Sequence, residues 1–134
     1  MTPGFCVLLY QWKPDGTGKI ARTQYTTMET FPQYTLLKVM PKTGRTHQIR
    51  VHLRAFGHPI VGDQLYHSRK YKKELNAHHP LLAATQLTFT DLQGKPQSYH
   101  MAIPEYFASI LTELRTKYPD STKTGQSKKH EPLG

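Results

Sequence analysis

A helix too short to stand alone sits between two sets of breakers. Residues His47 to Phe56 place Ile49, Leu53 and Phe56 at i, i+4 and i+7, which makes one apolar stripe. Thr46 is a fitting cap before it. Pro41 and Gly44 close the preceding segment, and Gly57 and Pro59 stop the helix. About ten residues of helix are marginal in water. The stripe must therefore be buried against something else, and what precedes it is rich in β-formers.

Phe5 to Trp12 reads as a buried strand, followed by turn chemistry in Lys13-Pro14-Asp15-Gly16-Thr17-Gly18. Lys19 to Phe31 alternates in the manner of one strand with a wetted face. Tyr34 to Met40 is a third strand, and the short break at Phe31-Pro32-Gln33 makes the two a hairpin. Residues 60–80 read as irregular, with a basic cluster at Arg69, Lys70, Lys72 and Lys73 and a short helix around Ser68 to Leu75. Gln86 to Thr90 and Gln97 to Ile103 are strands joined by a turn from Asp91 to Pro96. Pro104 then opens a second helix, with Phe107, Ile110, Leu111 and Leu114 as its core face. The pattern predicts one domain over 1–118. Pro119 to Gly134 has one Leu and no aromatic residue, and it is expected to be a disordered basic tail.

Eighteen Lys+Arg against nine Asp+Glu give a net charge of +9. That surplus favours a polyanion, nucleic acid before membrane; the alternative is a basic surface with no specific site. Hydrophobic residues are 37% and mean hydropathy is −0.62, so the core is small or part of the domain lies elsewhere. Cys6 is the single cysteine and excludes an intrachain disulfide. The apolar run Phe5 to Tyr10 is far below a membrane span, and a cytosolic protein is expected.

His47, Arg50 and Arg54 recur at i, i+3 and i+7, with Arg45 just upstream. These cations repel one another unless an anion answers them, and the arginine fork suits phosphate and carboxylate. Arg50 borders the apolar stripe, where a partly desolvated guanidinium needs a carboxylate. The competing reading is a solvated basic face. Eight histidines show no HExxH spacing, so no metal site is expected. Gly16-Thr17-Gly18-Lys19 lacks P-loop spacing, and no serine sits in a nucleophile elbow. Tyr25, Tyr34 and Tyr106 suit either base stacking or the core.

The run Thr43-Gly44-Arg45-Thr46-His47-Gln48-Ile49-Arg50-Val51-His52, then Gly57-His58-Pro59-Ile60, Gly62-Asp63 and Tyr66, resembles the RluA/RsuA-type RNA pseudouridine synthases. The likeness covers roughly residues 5–117. It implies an α+β fold, a mixed and mostly antiparallel sheet with flanking helices, and isomerisation of uridine in rRNA or tRNA without cofactor or metal. It implies that Arg50 partners a nucleophilic Asp and that Ile49 shapes the uracil pocket. The basic residues Lys42, Arg45, His47, Arg54, Arg69 and Lys70 are, from their charge, the expected RNA contacts. The family's Arg-Leu-Asp nucleophile motif is absent here, and Ala83 replaces a histidine many relatives carry. The chain thus reads as the C-terminal half of a catalytic domain, inactive alone, with Arg50 lacking its carboxylate. Asp63 is read as part of the Gly-Asp motif and not as the nucleophile. An exposed sheet edge is expected to pair with a second copy or a complementary N-terminal segment. The alternative function is a non-catalytic RNA-binding module.

Overall fold

The strand Thr2–Tyr10, β1, has apolar residues at nearly every position, and a strand of that kind must be covered on both sides. The computed structural model, which describes residues 2–10, 16–20, 23–41, 46–55, 57–63, 75 and 77–119, puts it inside a six-stranded sheet. The other strands are β2 (Thr17–Ile20), β3 (Thr23–Thr30), β4 (Tyr34–Met40), β5 (Leu82–Thr90) and β6 (Pro96–His100). The order is β2-β3-β4-β1-β5-β6, and each pairing among these strands is antiparallel. The helices are α1 (Thr46–Ala55) and α2 (Glu105–Lys117).

Alternation along β1 sorts the core into two layers. Phe5, Val7 and Leu9 point to one side, where Leu37, Val39 and Ile60 join Ile49 and Leu53 of α1. Leu8 points to the other side, where Leu36, Tyr34 and Leu81 meet Phe107, Ile110, Leu111 and Leu114 of α2. The second helix thus buries the stripe its spacing predicts. Burial of each such Leu or Ile is worth about 1.5–3 kcal/mol, which is what holds so short a helix as α1 in place.

Four expectations need correction. The first strand starts at Thr2 rather than Phe5, because Thr2, Pro3 and Gly4 already pair with β5. Lys19 to Phe31 is not one strand: β2 and β3 form a hairpin, with Ile20 opposite Thr23. The alternation continues across residues 21–22, and Ala21-Arg22 carries no Gly, Pro or Asn to announce a reversal. Strand β5 starts at Leu82 rather than Gln86, because Ala83 and Ala84 pair with β1. Strand β6 ends at His100, short of Ile103. The helix expected near Ser68 to Leu75 and the tail expected from Pro119 fall, apart from Leu75 and Pro119, outside the described residues.

A bulge at Met28 turns Glu29 toward α2, where it opposes Leu36. Its carboxylate, 3% exposed, accepts hydrogen bonds from Arg115 Nε and Nη2 at 2.9–3.2 Å. This ion pair ties the last turn of α2 to β3.

Candidate active site

The end of α1 sets the site. Gly57 has φ +83°, its N–H donates to the Arg54 carbonyl, and the His58 N–H donates to the Leu53 carbonyl. That pair of bonds is a Schellman cap, which reverses the chain sharply. The chain then runs back along β1. Tyr10 N–H donates to the Pro59 carbonyl, Ile60 bridges Leu9, and Val61 N–H donates to the Leu8 carbonyl. Beyond Val7, β1 thus gains residues 59–61 as a neighbour, and Leu81 N–H donates to the Val61 carbonyl from the far side. A turn closed by Asp63 N–H on the Ile60 carbonyl follows, with Gly62 at φ +85° in its third position.

This return path brings Asp63 against Arg50. Nε donates to Oδ2 and Nη2 to Oδ1, both at 2.8 Å. The geometry is a two-point fork of the strong, charge-assisted kind. The Asp63 side chain is wholly buried, whereas that of Arg50 is 23% exposed. The pair therefore has an inner anionic end and an outer cationic end.

This overturns one expectation: Arg50 does not lack a carboxylate within this polypeptide. Asp63 supplies it from thirteen residues downstream. The reason is topological, since the cap at Gly57 and the turn at Gly62 fold the Gly-His-Pro…Gly-Asp segment back on the helix. A signal was present in the sequence. A cationic helix, a stop at Gly57 and a carboxylate after a second glycine offer a candidate partner close in sequence, though not the return path that delivers it.

Ile49 is 3% exposed and lies under the helix. With Thr23, Val39, His52 and Leu53 it lines a shallow apolar hollow beside α1. Arg50 is not among the walls of that hollow. His52 and Arg54, in the last turn of α1, are exposed. No acidic residue lies in the first turn, so the positive end of the helix dipole has no carboxylate of its own there. Among the described residues, no group of three His, Cys, Asp or Glu is placed to hold a metal ion.

A model of the RNA pseudouridylate synthase family matches residues 6–55, from β1 through α1. An RNA pseudouridine synthase of Chloroflexus aurantiacus is 40% identical over 105 residues, covering 78% of this chain and 32% of the relative. The ribosomal large subunit pseudouridine synthase D of Haemophilus ducreyi is 37% identical over 112 residues, covering 75% and 34%. This chain belongs to the RNA pseudouridine synthase family. It spans about a third of the length of these curated relatives. The fold agrees: human RNA pseudouridylate synthase domain containing 4 superposes with a TM-score of 0.61 at 22% identity, over 85% of this chain and 62% of that one.

The residues foreseen for the site divide as follows. Ile49, Arg50 and Arg54 all lie on α1, and His47 lies in its first turn. Lys42, Arg45, Arg69 and Lys70 lie outside the described residues. Tyr34 is core at 2% exposed, and Tyr25 packs under α1. Among the described helices, none is long and apolar enough to cross a membrane.

Proposed function

We propose that this chain supplies the Arg50-bearing side of a uridine-isomerising site. In that reaction the N1–C1′ bond of uridine breaks and a C5–C1′ bond forms. N1 gains a proton and the C5 proton is released to solvent, so no redox partner is needed. The observation that carries the reading is the fork between Arg50 and fully buried Asp63. It fixes the guanidinium plane on α1, within the segment that matches the family. A prearranged cation of this kind stabilises developing charge without reorganising.

Neither described carboxylate of the Asp type suits a nucleophile. Asp63 is buried against Arg50, and Asp91 accepts three hydrogen bonds in the β5–β6 turn. We infer that the attacking carboxylate comes from a further segment carrying an Arg-Leu-Asp motif, and that the chain is inactive without it. Several of the relatives are called ribosomal large subunit synthases, which makes ribosomal RNA the first substrate to try. Among the described residues the edge strands are β2 and β6, and a sheet edge is the natural place for such a segment, or a second copy, to add.

Tritium release from RNA labelled at uridine C5 tests this. The chain alone should release nothing, and adding an N-terminal segment with Arg-Leu-Asp should start release. The second reading, a non-catalytic RNA-binding module, rests on the charge of +9. It prevails if complementation fails while RNA binding persists. About five phosphate contacts would then give a log–log salt slope of roughly −3.5 to −4.5.

A further inference from the structure

Among the described residues, cover on the α1 side of the sheet stops short of one edge. Phe5 faces α1 and stands opposite Ala84, so Ala84 shares that side, yet it is exposed. Past the irregularity at Gly4/Phe5, Pro3 stands opposite Leu87 and Leu87 opposite Tyr99. Alternation puts Pro3, Leu87, Phe89 and Tyr99 on the α1 side as well. Phe89 and Tyr99 lie stacked, with centroids 5.7 Å apart and planes 19° from parallel. Tyr99 is nevertheless 57% exposed.

A diagonal aromatic pair can simply brace an edge hairpin, and Phe89 against Tyr99 does so. Bracing uses one face of the tyrosine ring and gives no reason for the rest of it to stand exposed. The chemistry around it is selective. Neither β5 nor β6 contains an Asp or Glu. The carboxylate at the hairpin tip, Asp91, is occupied by the amides of Gln93 and Lys95 and by the Gln97 side chain. The two strands are thus aromatic and hydrogen-bonding and carry no carboxylate, while the charge of Asp91 at the tip is directed into its own turn. This surface also shares a sheet side with the cationic helix, two strand spacings, or about 10 Å, from β1. A folded protein partner would want a broader apolar area than Leu87, Phe89 and Tyr99 offer. An unpaired base needs only one flat ring and no neighbouring carboxylate.

We propose that Tyr99, backed by Phe89, is a stacking platform for an unpaired base of single-stranded RNA whose backbone is held near α1. The proposal rests on the RNA-binding reading above and adds a second contact area to it.

The test is fluorescence anisotropy with an end-labelled, unstructured uridine-rich RNA dodecamer, over a salt series. Tyr99→Ala should weaken binding roughly five- to a hundredfold, the range one stacked base commands. Its salt slope should stay unchanged, because no charge is removed. Tyr99→Phe keeps the ring and should bind as the unaltered chain does, and melting curves of both variants check the fold. Equal binding by Tyr99→Ala overturns the platform. So does weak binding by Tyr99→Phe, which would assign the contact to the hydroxyl. Light scattering covers the remaining occupant: a dimer that Tyr99→Ala splits, at unaltered RNA affinity, would mean that a second copy covers this face. Should the unaltered chain bind no RNA, the RNA-binding reading falls and the platform with it, a result distinct from selective loss in one variant.

Discussion

At the scale of single residues, the asymmetry of the Arg50–Asp63 pair decides what each truncation does. Breaking a buried ion pair from one side costs about 3–5 kcal/mol, because a charge is left uncompensated. Asp63 is wholly buried, whereas Arg50 is 23% exposed and can turn its charge toward water. Arg50→Ala should therefore cost stability near that range, and Asp63→Ala distinctly less, in urea denaturation of the two variants. Equal losses would contradict this ordering of burial. The pair was only half legible in the sequence. Arg50 beside Ile49 announces a cation at the edge of a core, and so a need for an anion. Which anion answers it depends on the backbone bonds that Pro59 and Val61 make with β1, and no local pattern encodes those.

At the scale of elements, the return segment between α1 and Asp63 is the part that tolerates least. A Cβ at Gly62 would collide with the His79 carbonyl oxygen, whereas one at Gly57 would meet nothing. Both positions have φ near +85°, so each alanine carries a backbone cost of about 1 kcal/mol. Only Gly62→Ala adds a steric conflict with main chain. Thermal melts should show a small shift for Gly57→Ala and a large one for Gly62→Ala; similar shifts would mean the turn yields readily. The β5–β6 turn has its own signature. Hydrogen bonding from the Lys95 amide, then from the Gln97 side chain, holds the Asp91 carboxyl below its ordinary value. A lowered folded value means that the stabilisation is present above the unfolded carboxylate value, about 3.9, and is lost as pH falls through the lower folded one. Amide resonances of Gln93 and Lys95 should titrate with a midpoint below about 3.9. A midpoint at or above it would remove Asp91 from its role as the organiser of the turn. The helices and β4 were legible because apolar spacing and breakers agree there. The β2–β3 hairpin was not, since Ala21-Arg22 carries none of the residues that mark a reversal.

At the scale of the whole molecule, one sheet carries two unlike sides. The α2 side is closed by Phe107, Ile110, Leu111 and Leu114 and clasped by Arg115 on Glu29. The α1 side presents the fork of Arg50, the exposed Arg54 and, toward β6, the open tyrosine. Charge of +9 explains why a polyanion should approach, but it does not choose a side; the sidedness comes from the register of β1 with its neighbours. The most direct test of the account is a single comparison by tritium release from C5-labelled uridine RNA, with the Arg-Leu-Asp segment added in each case. The unaltered chain should support release, and Arg50→Ala, checked for retained fold and RNA affinity, should fall to background. Release by Arg50→Ala at the unaltered rate would contradict the assignment of Arg50 to the isomerising site.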